Sequence, residues 1–176
     1  MPRAHRRPLP KAPRLVVFDF DGVMTDNRVW VDAQGNEQVA CNRSDGLGLA
    51  MLRERGIDLL VLSTEANPVV GARCRKLSLP YEQGVANKAA RLRSQLDERD
   101  IAPSDVIYLG NDINDLDCMR LVGCGVAVAD AHPDVLREAD LILTRAGGHG
   151  AVRELCDRLA APARRRSTRS SRPSAR

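Results

Sequence analysis

Residues 15–26 read Leu-Val-Val-Phe-Asp-Phe-Asp-Gly-Val-Met-Thr-Asp, and this stretch predicts both the fold and the location of its chemistry. Residues 15–20 form a continuous apolar run apart from Asp19, which is typical of a strand buried in a parallel sheet. Asp19 and Asp21 stand two residues apart, so both side chains leave an extended chain on one side. Two such close carboxylates repel each other and are costly without a cation or a proton. The sequence therefore predicts a chemical site at the end of this strand.

Short apolar runs and longer amphipathic stretches alternate along the rest of the chain. This alternation predicts a three-layer, Rossmann-like α/β fold, with a mostly parallel sheet and helices on both faces. A turn signal at Gln34-Gly35-Asn36 predicts a hairpin after the first strand. Further strands are predicted at residues 57–62, 105–109, 125–128 and 141–143, and helices at 45–55, 67–77, 87–99, 114–121, from 133 and at 151–159.

Ligands of such sheets bind beyond the carboxyl ends of the strands. Two other predicted strands end in polar residues, Ser63-Thr64-Glu65 and Gly110-Asn111-Asp112. We expect these residues to meet Asp19 and Asp21 at one edge of the sheet.

Charge is distributed unevenly along the 176 residues. Residues 1–14 hold five basic residues and residues 163–176 hold six, with no acid in either, although the whole chain is only +4. The predicted organisation is a basic, Pro-rich arm (1–14), one catalytic domain (15–160) and an Arg/Ser-rich tail (161–176). Because the domain between the ends is acidic, nucleic-acid binding is not expected, except through the tails.

Five scattered cysteines without a C-x-x-C pair indicate reduced thiols and a cytoplasmic chain. No apolar run reaches the ~18 residues of a membrane span, so no membrane partner is expected.

The motif D-F-D-G-V-M-T-D resembles the opening D-x-D-G-x-x-T-D of the haloacid dehalogenase superfamily of phosphotransferases. Ser63 after the second strand, Lys88 at a helix start and Gly110-Asn111-Asp112-Ile113-Asn114-Asp115 follow in the superfamily's order. The resemblance covers about residues 15–160 and implies a phosphatase.

The resemblance implies specific roles. Asp19 would be the nucleophile that forms an aspartyl-phosphate, and Asp21 the general acid and base. Ser63 and Lys88 would bind the transferring phosphoryl oxygens. Mg²⁺ would be held by Asp19, Asp21 and the later acidic motif.

That later motif departs from the superfamily, whose members usually carry Asp where this chain has Asn111. An amide oxygen can bind Mg²⁺ but brings no charge. We expect Asn111 to take the ligand position, with Asp112 or Asp115 restoring the charge directly or through water.

Too few residues separate Asp26 from Asp45, or Ser63 from Lys88, for a cap domain. The hairpin, the segment around Asp45 and the segment at Gly147 and Gly148 resemble capless 3-deoxy-manno-octulosonate (KDO) 8-phosphate phosphatases and the C-terminal domains of some CMP-sialate synthetases. That resemblance implies a homotetramer whose sites are closed by neighbouring subunits.

The substrate implied is the phosphate of a 2-keto-3-deoxy sugar acid. Octulosonate phosphatases tend to carry T-G-R after the second strand, whereas Thr64 is followed here by Glu65. Glu65, Arg73 and Lys76 resemble the pattern of nonulosonate (sialic acid or KDN) 9-phosphate phosphatases, which is the preferred substrate class, with KDO 8-phosphate as the alternative. A third hypothesis is a non-catalytic oligomerisation domain, which Asn111 keeps open.

Overall fold

The computed structural model describes residues 6–161. The strands are β1 Leu15–Phe18, β2 Thr25–Val31, β3 Glu37–Cys41, β4 Asp58–Leu62, β5 Tyr81–Glu82, β6 Val106–Gly110, β7 Cys124–Ala127 and β8 Leu141–Ile142. The helices are α1 Arg43–Glu54, α2 Val69–Lys76, α3 Lys88–Glu98, α4 Leu116–Leu121, α5 Pro133–Glu138 and α6 Ala151–Ala160.

Six strands form one parallel sheet in the order β5-β4-β1-β6-β7-β8. The chain builds outward from β1 to one edge, then returns to the centre and builds toward the other edge. In this doubly wound arrangement the loops after β1 and β6 diverge and leave a crevice between them. The predicted α/β class is confirmed, and the crevice lies where the two acidic motifs end their strands.

Helices cover the sheet, with α1 packed against α6 and α3 against α4. All four residues of β1 and all five of β6 are buried, as continuous apolar runs predict for central parallel strands. At the α1–α6 contact, a Cβ on Gly48 would lie 2.8 Å from Cβ of Cys156, so this close approach requires glycine. Within residues 6–161 no helix has the length and apolar character needed to cross a membrane.

Three local features differ from the predicted pattern. Strand β1 ends at Phe18 because the carbonyl of Phe20 accepts N–H bonds from the next turn, at 2.9–3.3 Å. The predicted helix at 114–121 begins as a 3₁₀ turn, Ile113–Asp115, before α4. Strand β5 was not predicted, because a two-residue edge strand has no periodicity to detect.

The predicted hairpin is present as a separate antiparallel pair, β2 and β3. Its turn is held by Asp32, whose carboxylate accepts N–H bonds from Gln34 and Asn36 at 2.9 and 2.8 Å. Val29, Trp30 and Val31 are 50–59% exposed on β2. The hairpin therefore offers apolar surface that residues 6–161 leave uncovered.

Residues 6–14 form neither helix nor strand, and Arg7 attaches them to the domain. Its backbone N–H and Nε bind the two carboxylate oxygens of Asp140 at 2.8 and 2.9 Å, and its guanidinium also donates to the carbonyls of Met119 and Val122. The predicted boundary at residue 15 stays a prediction. Residues 1–5 of the arm and 162–176 of the Arg/Ser-rich tail lie outside the described residues.

Candidate active site

The crevice between β1 and β6 holds a pocket of about 320 Å³. The loop after β1 contributes the two carboxylates, the loop after β6 contributes four residues, and one residue follows β4. The lining residues are Asp19, Asp21, Asn27, Thr64, Asn111, Asp112, Ile113 and Asn114. Five of the fourteen residues predicted for the site therefore line one pocket.

The loop after β1 is shaped by one glycine and one hydroxyl. Gly22 has φ +75°, and a Cβ there would lie 2.1 Å from the amide nitrogen of Asn111. The Thr25 hydroxyl accepts the N–H groups of Gly22 and Asn27 at 3.1 and 3.2 Å. This loop therefore brings the backbone of Asp21 against Asn111, which a bulkier residue at position 22 would prevent.

Lys88 lies at the start of α3 and is buried beside the pocket. Its Nζ lies 2.8 Å from Oδ1 of Asp19 and 2.7 Å from Oδ1 of Asp115. Burial lowers the pKa of Lys88, but the two carboxylates outweigh it and the net pKa is raised, so the ammonium stays charged. Lys88 therefore contacts Asp19 directly, and its predicted role in binding phosphoryl oxygens stays a prediction.

Burial raises the pKa of Asp19 to about 7, and the charge of Asp115 adds to the effect while Lys88 opposes it. Asp21 is less enclosed, and burial followed by the nearby charge of Glu65 raises its pKa as well. Both carboxyls thus hold protons more tightly than free aspartates. A cation beside Asp19 and a protonated Asp21 fit this electrostatic setting.

The residues present fit a magnesium ion. One end of the Asn111 amide lies 3.2 Å from Oδ2 of Asp19 and 2.9 Å from the carbonyl oxygen of Asp21. If the NH₂ group of Asn111 occupies that end, it donates to Asp19 and to the Asp21 carbonyl. If the amide oxygen of Asn111 occupies it, three oxygen atoms face one another. Octahedral Mg²⁺ with ligands at ~2.1 Å sets neighbouring oxygens about 3 Å apart. The side chain of Asp19, the backbone of Asp21 and Asn111 therefore match its donor set.

The magnesium donor set is not made of carboxylates alone. Among the described residues, no three His, Cys, Asp or Glu side chains lie close enough together to form a metal site by themselves. Asp112 lines the pocket, although its Oδ1 accepts the N–H of Ile113 at 2.7 Å. It remains the carboxylate placed to act through water.

Asp115 does not line the pocket, and its predicted role beside the metal, directly or through water, stays a prediction. Its Oδ1 accepts from Lys88 and from the Tyr108 hydroxyl, each at 2.7 Å. Its Oδ2 accepts the backbone N–H groups of Asn111 and Asp112 at 2.9 and 3.2 Å. Donors occupy both oxygens, and the side chain is fully buried. Asp115 therefore holds Lys88 and the loop after β6 in place from the interior of the protein.

The residues after β4 border the crevice. Ser63 is buried, and its Oγ accepts the N–H of Glu65 at 3.1 Å. The Thr64 hydroxyl lies 3.5 Å from the Asn114 amide nitrogen, across the pocket. Glu65 uses one oxygen to accept the N–H of Asn67 at 2.7 Å, which ties it to the start of α2.

Arg73 and Lys76 do not line this pocket. They lie in a groove of about 660 Å³ between β3 and α2, whose lining shares no residue with the pocket. One Arg73 nitrogen donates to the carbonyl of Asn42 at 3.0 Å, and its Nε is buried without a partner in the described residues. Within one chain, the structure thus separates these cations from the carboxylates.

Asp45 was predicted to bind substrate, but it is buried between α1 and α6. Its Oδ1 accepts the backbone N–H of Arg153 in the first turn of α6 at 3.1 Å. Burial raises the pKa of Asp45 to about 6, against the lowering effects of that hydrogen bond and of Arg73. In this structure Asp45 on α1 caps the first turn of α6, and its predicted role in substrate binding stays a prediction.

The raised pKa of Asp45 has a measurable consequence for stability. The folded chain binds this proton more tightly than the unfolded chain, so stability from this group is lost as pH rises from about 4 to 6. Asp45→Asn keeps an acceptor for Arg153 and removes the charge. We expect urea unfolding at pH 7.5 to show about 2 kcal/mol of added stability, and almost none at pH 4. Asp97→Asn, at an exposed position of α3, is the control. A destabilised Asp45→Asn at pH 7.5 would contradict the raised pKa of Asp45.

Gly147 and Gly148 pack against the catalytic loop of their own chain instead of lining the pocket. A Cβ on Gly147 would lie 1.9 Å from the carbonyl oxygen of Gly22, and one on Gly148 would lie 2.4 Å from the Asp26 nitrogen. Gly148 also donates to the carbonyl of Val23 at 3.1 Å. These glycines support the loop that carries Asp21, and their predicted contact with substrate, in a site closed by a neighbouring subunit, stays a prediction.

Three residues of the site were missed from the sequence. Tyr108 lies in the predicted strand at 105–109, and a hydroxyl in a buried strand is the signal that an acceptor lies nearby, here Asp115. Asn42 caps α1 and donates to the carbonyl of Gly148 at 3.4 Å. Asn27 lines the pocket with φ +63°, a left-handed conformation that asparagine tolerates.

The fold and the site together define a class. A doubly wound sheet, two carboxylates after its central strand, a buried lysine and no inserted cap describe a hydrolase of the haloacid dehalogenase superfamily. Residues 82–155 match the family model of haloacid dehalogenase-like hydrolases.

A curated relative narrows this class. The 3-deoxy-D-manno-octulosonate 8-phosphate phosphatase KdsC of Escherichia coli (strain K12) is 38% identical over 147 residues, 83% of this chain and 78% of that protein. The chain therefore belongs to the KDO 8-phosphate phosphatase family of that superfamily.

Solved structures agree with this assignment. A HAD family hydrolase from Streptomyces avermitilis is 48% identical, with TM-score 0.83, over 86% of this chain and 87% of that one. The KDO 8-phosphate phosphatase of Moraxella catarrhalis, solved in complex with magnesium, phosphate and KDO, is 31% identical, with TM-score 0.82, over 85% and 86%.

Proposed function

We propose that this chain is a Mg²⁺-dependent phosphatase of a 2-keto-3-deoxy sugar acid phosphate, with KDO 8-phosphate as its first substrate. The observation that carries the proposal is the pocket in which Asp19, Asp21 and Asn111 converge on one point while Lys88 contacts Asp19. Relatives named for KDO 8-phosphate support the choice of sugar.

The chain's own residues divide the work. An Asp19 oxygen attacks phosphorus, the bond from phosphorus to the sugar oxygen breaks, and Asp21 gives its proton to that leaving oxygen. Asp21 then removes a proton from water, whose oxygen attacks the aspartyl-phosphate and releases inorganic phosphate from Asp19. The raised pKa of Asp21 suits a group that must first be an acid.

Lys88 and Ser63 bind the phosphoryl oxygens in this scheme, and Lys88 offsets their charge beside Asp19. Mg²⁺, when held by Asp19, the Asp21 carbonyl and Asn111 with Asp112 nearby, supplies positive charge that keeps Asp19 ionised against the phosphate.

A nonulosonate 9-phosphate is the second candidate substrate, and Glu65 favours it. Its charge acts on Asp21, which places the Glu65 carboxylate near the pocket, where it would accept hydrogen bonds from the hydroxyls of a longer sugar. Arg73 and Lys76 line the same groove, and the charge of Arg73 acts on the buried carboxyl of Asp45 from there. Their separate groove is the observation against this candidate in a single chain.

Phosphate release from the two sugar phosphates tests the proposal. We expect Mg²⁺-dependent, EDTA-sensitive turnover, with kcat/KM for KDO 8-phosphate at least about tenfold above that for KDN 9-phosphate. A higher kcat/KM for KDN 9-phosphate than for KDO 8-phosphate would establish the nonulosonate as the substrate, provided that this preference is lost in Glu65→Arg. Absence of turnover on both sugars and on an aryl phosphate leaves the non-catalytic oligomerisation domain.

We also propose a cytoplasmic homotetramer assembled through the hairpin. Exposed Val29, Trp30 and Val31 support it, because apolar side chains grouped on a projecting strand are typical of an interface. Light scattering at micromolar concentration should give four times the chain mass, and Trp30→Lys should lower it; a monomeric wild type contradicts the proposal.

A further inference from the structure

Tyr108 sits in the middle of β6, at the centre of the sheet, and is fully buried. Its hydroxyl lies among apolar strands, where an unpaired hydroxyl is costly. The hydroxyl donates to Oδ1 of Asp115 at 2.7 Å. Strand β6 therefore places a neutral hydrogen-bond donor against Asp115, on the interior side of the active site.

The same carboxylate oxygen also holds Lys88. Tyr108 and Lys88 share Oδ1 of Asp115, while the loop after β6 occupies Oδ2 through two backbone N–H groups. These four donors fix the plane of the Asp115 carboxylate. Lys88 in turn bridges Asp115 and Asp19, at 2.7 and 2.8 Å.

We propose that Tyr108 is a positioning residue for the phosphatase reaction, an inference that rests on the function proposed above. Because the hydroxyl donates to Oδ1 of Asp115, it partly neutralises the negative charge of that oxygen. The attraction of Asp115 for Lys88 is weaker as a result. Lys88 then stays divided between Asp115 and Asp19. Without the hydroxyl, Asp115 is freer to turn and pulls Lys88 back from the nucleophile, and small displacements of a reacting group are expensive in rate.

Tyr108→Phe tests the inference, and the chain supplies a matched control. Tyr81 is its only other tyrosine, and the Tyr81 hydroxyl contacts Arg75 on the protein's edge, away from the pocket. With p-nitrophenyl phosphate and saturating Mg²⁺, we expect Tyr108→Phe to lower kcat about tenfold and to leave KM within twofold. Tyr81→Phe should keep both constants.

Asp115→Asn completes a double-mutant cycle. If Tyr108 acts through the charge of Asp115, adding Tyr108→Phe to Asp115→Asn should lower kcat less than twofold further. An unchanged kcat in a well-folded Tyr108→Phe, an equal loss in Tyr81→Phe, or independent effects in the cycle each overturn the inference. An inactive wild type is a different result, because it removes the proposed function itself.

The cycle also covers a variant that folds poorly. If circular dichroism shows that Tyr108→Phe is unfolded, Asp115→Asn with Tyr108 intact must still show a lowered kcat at constant KM, since the loss of the Asp115 charge also ends the division of Lys88 between Asp115 and Asp19. Normal kcat in folded Asp115→Asn overturns the inference.

Discussion

Asp19→Asn is expected to abolish phosphate release, with kcat lowered at least about 10⁴-fold, because an amide cannot form the aspartyl-phosphate. That loss corresponds to about 5.5 kcal/mol of the activation barrier. The substitution should leave the fold intact. Asn keeps an acceptor for Lys88, and it removes a charge that burial already disfavours at neutral pH.

Steady-state phosphate release, with circular dichroism as the check on folding, measures this result. Asp117→Asn is the matched control, because Asp117 is an exposed aspartate of α4 that pairs with Arg120 on the surface. The control should keep wild-type activity. More than 1% residual turnover in folded Asp19→Asn would show that another group is the nucleophile.

Lys88→Met is expected to lower both activity and stability. The substitution leaves Asp19 and Asp115 facing each other in a buried site without their shared cation. Removing one partner of a buried pair typically costs about 3–5 kcal/mol, and partial protonation of Asp19 should keep the cost near the lower value. We expect about 3 kcal/mol less stability in urea at pH 7.5 and at least about 10³-fold lower kcat.

The pH dependence gives this prediction its sharpest check. The stability deficit should shrink as pH falls toward 5, because the unpaired carboxyls then bind protons. Lys11→Met is the control, since it removes an exposed lysine near the N-terminus. A deficit that stays constant between pH 5 and pH 8 would mean that lost packing of the lysine stem, and not lost charge, sets the cost.

Most of the fold was predictable because its signals are local. Fully apolar runs marked the central strands, and helix starts such as Asn87 before Lys88 carried recognisable capping residues. The two-residue strand β5 could not be predicted, because its place depends on pairing with β4. The attachment of Arg7 to Asp140 joins residues far apart in the chain, which no local pattern reveals.

The residue types of the candidate site could be predicted from the sequence, but the directions in which their side chains point could be predicted less well. Asp19, Asp21 and Asn111 follow strand ends, so the sheet itself brings them together. Asp115 has the same residue type and a similar position, yet it turns inward because Tyr108 and Lys88 offer donors there. The order of residues shows which acids are near a strand end, but only packing decides which of them face the pocket.

The contact between Gly147 and Gly22 links nearly opposite ends of the chain. A ribosome that has made the catalytic loop must still make most of the polypeptide before its support exists. Central β1 likewise pairs with β6, whose residues come much later in synthesis. Such distant pairings slow folding and leave sheet edges exposed meanwhile. A nascent chain stalled before residue 147 should therefore carry every proposed catalytic side chain and still lack the surface that shapes their loop.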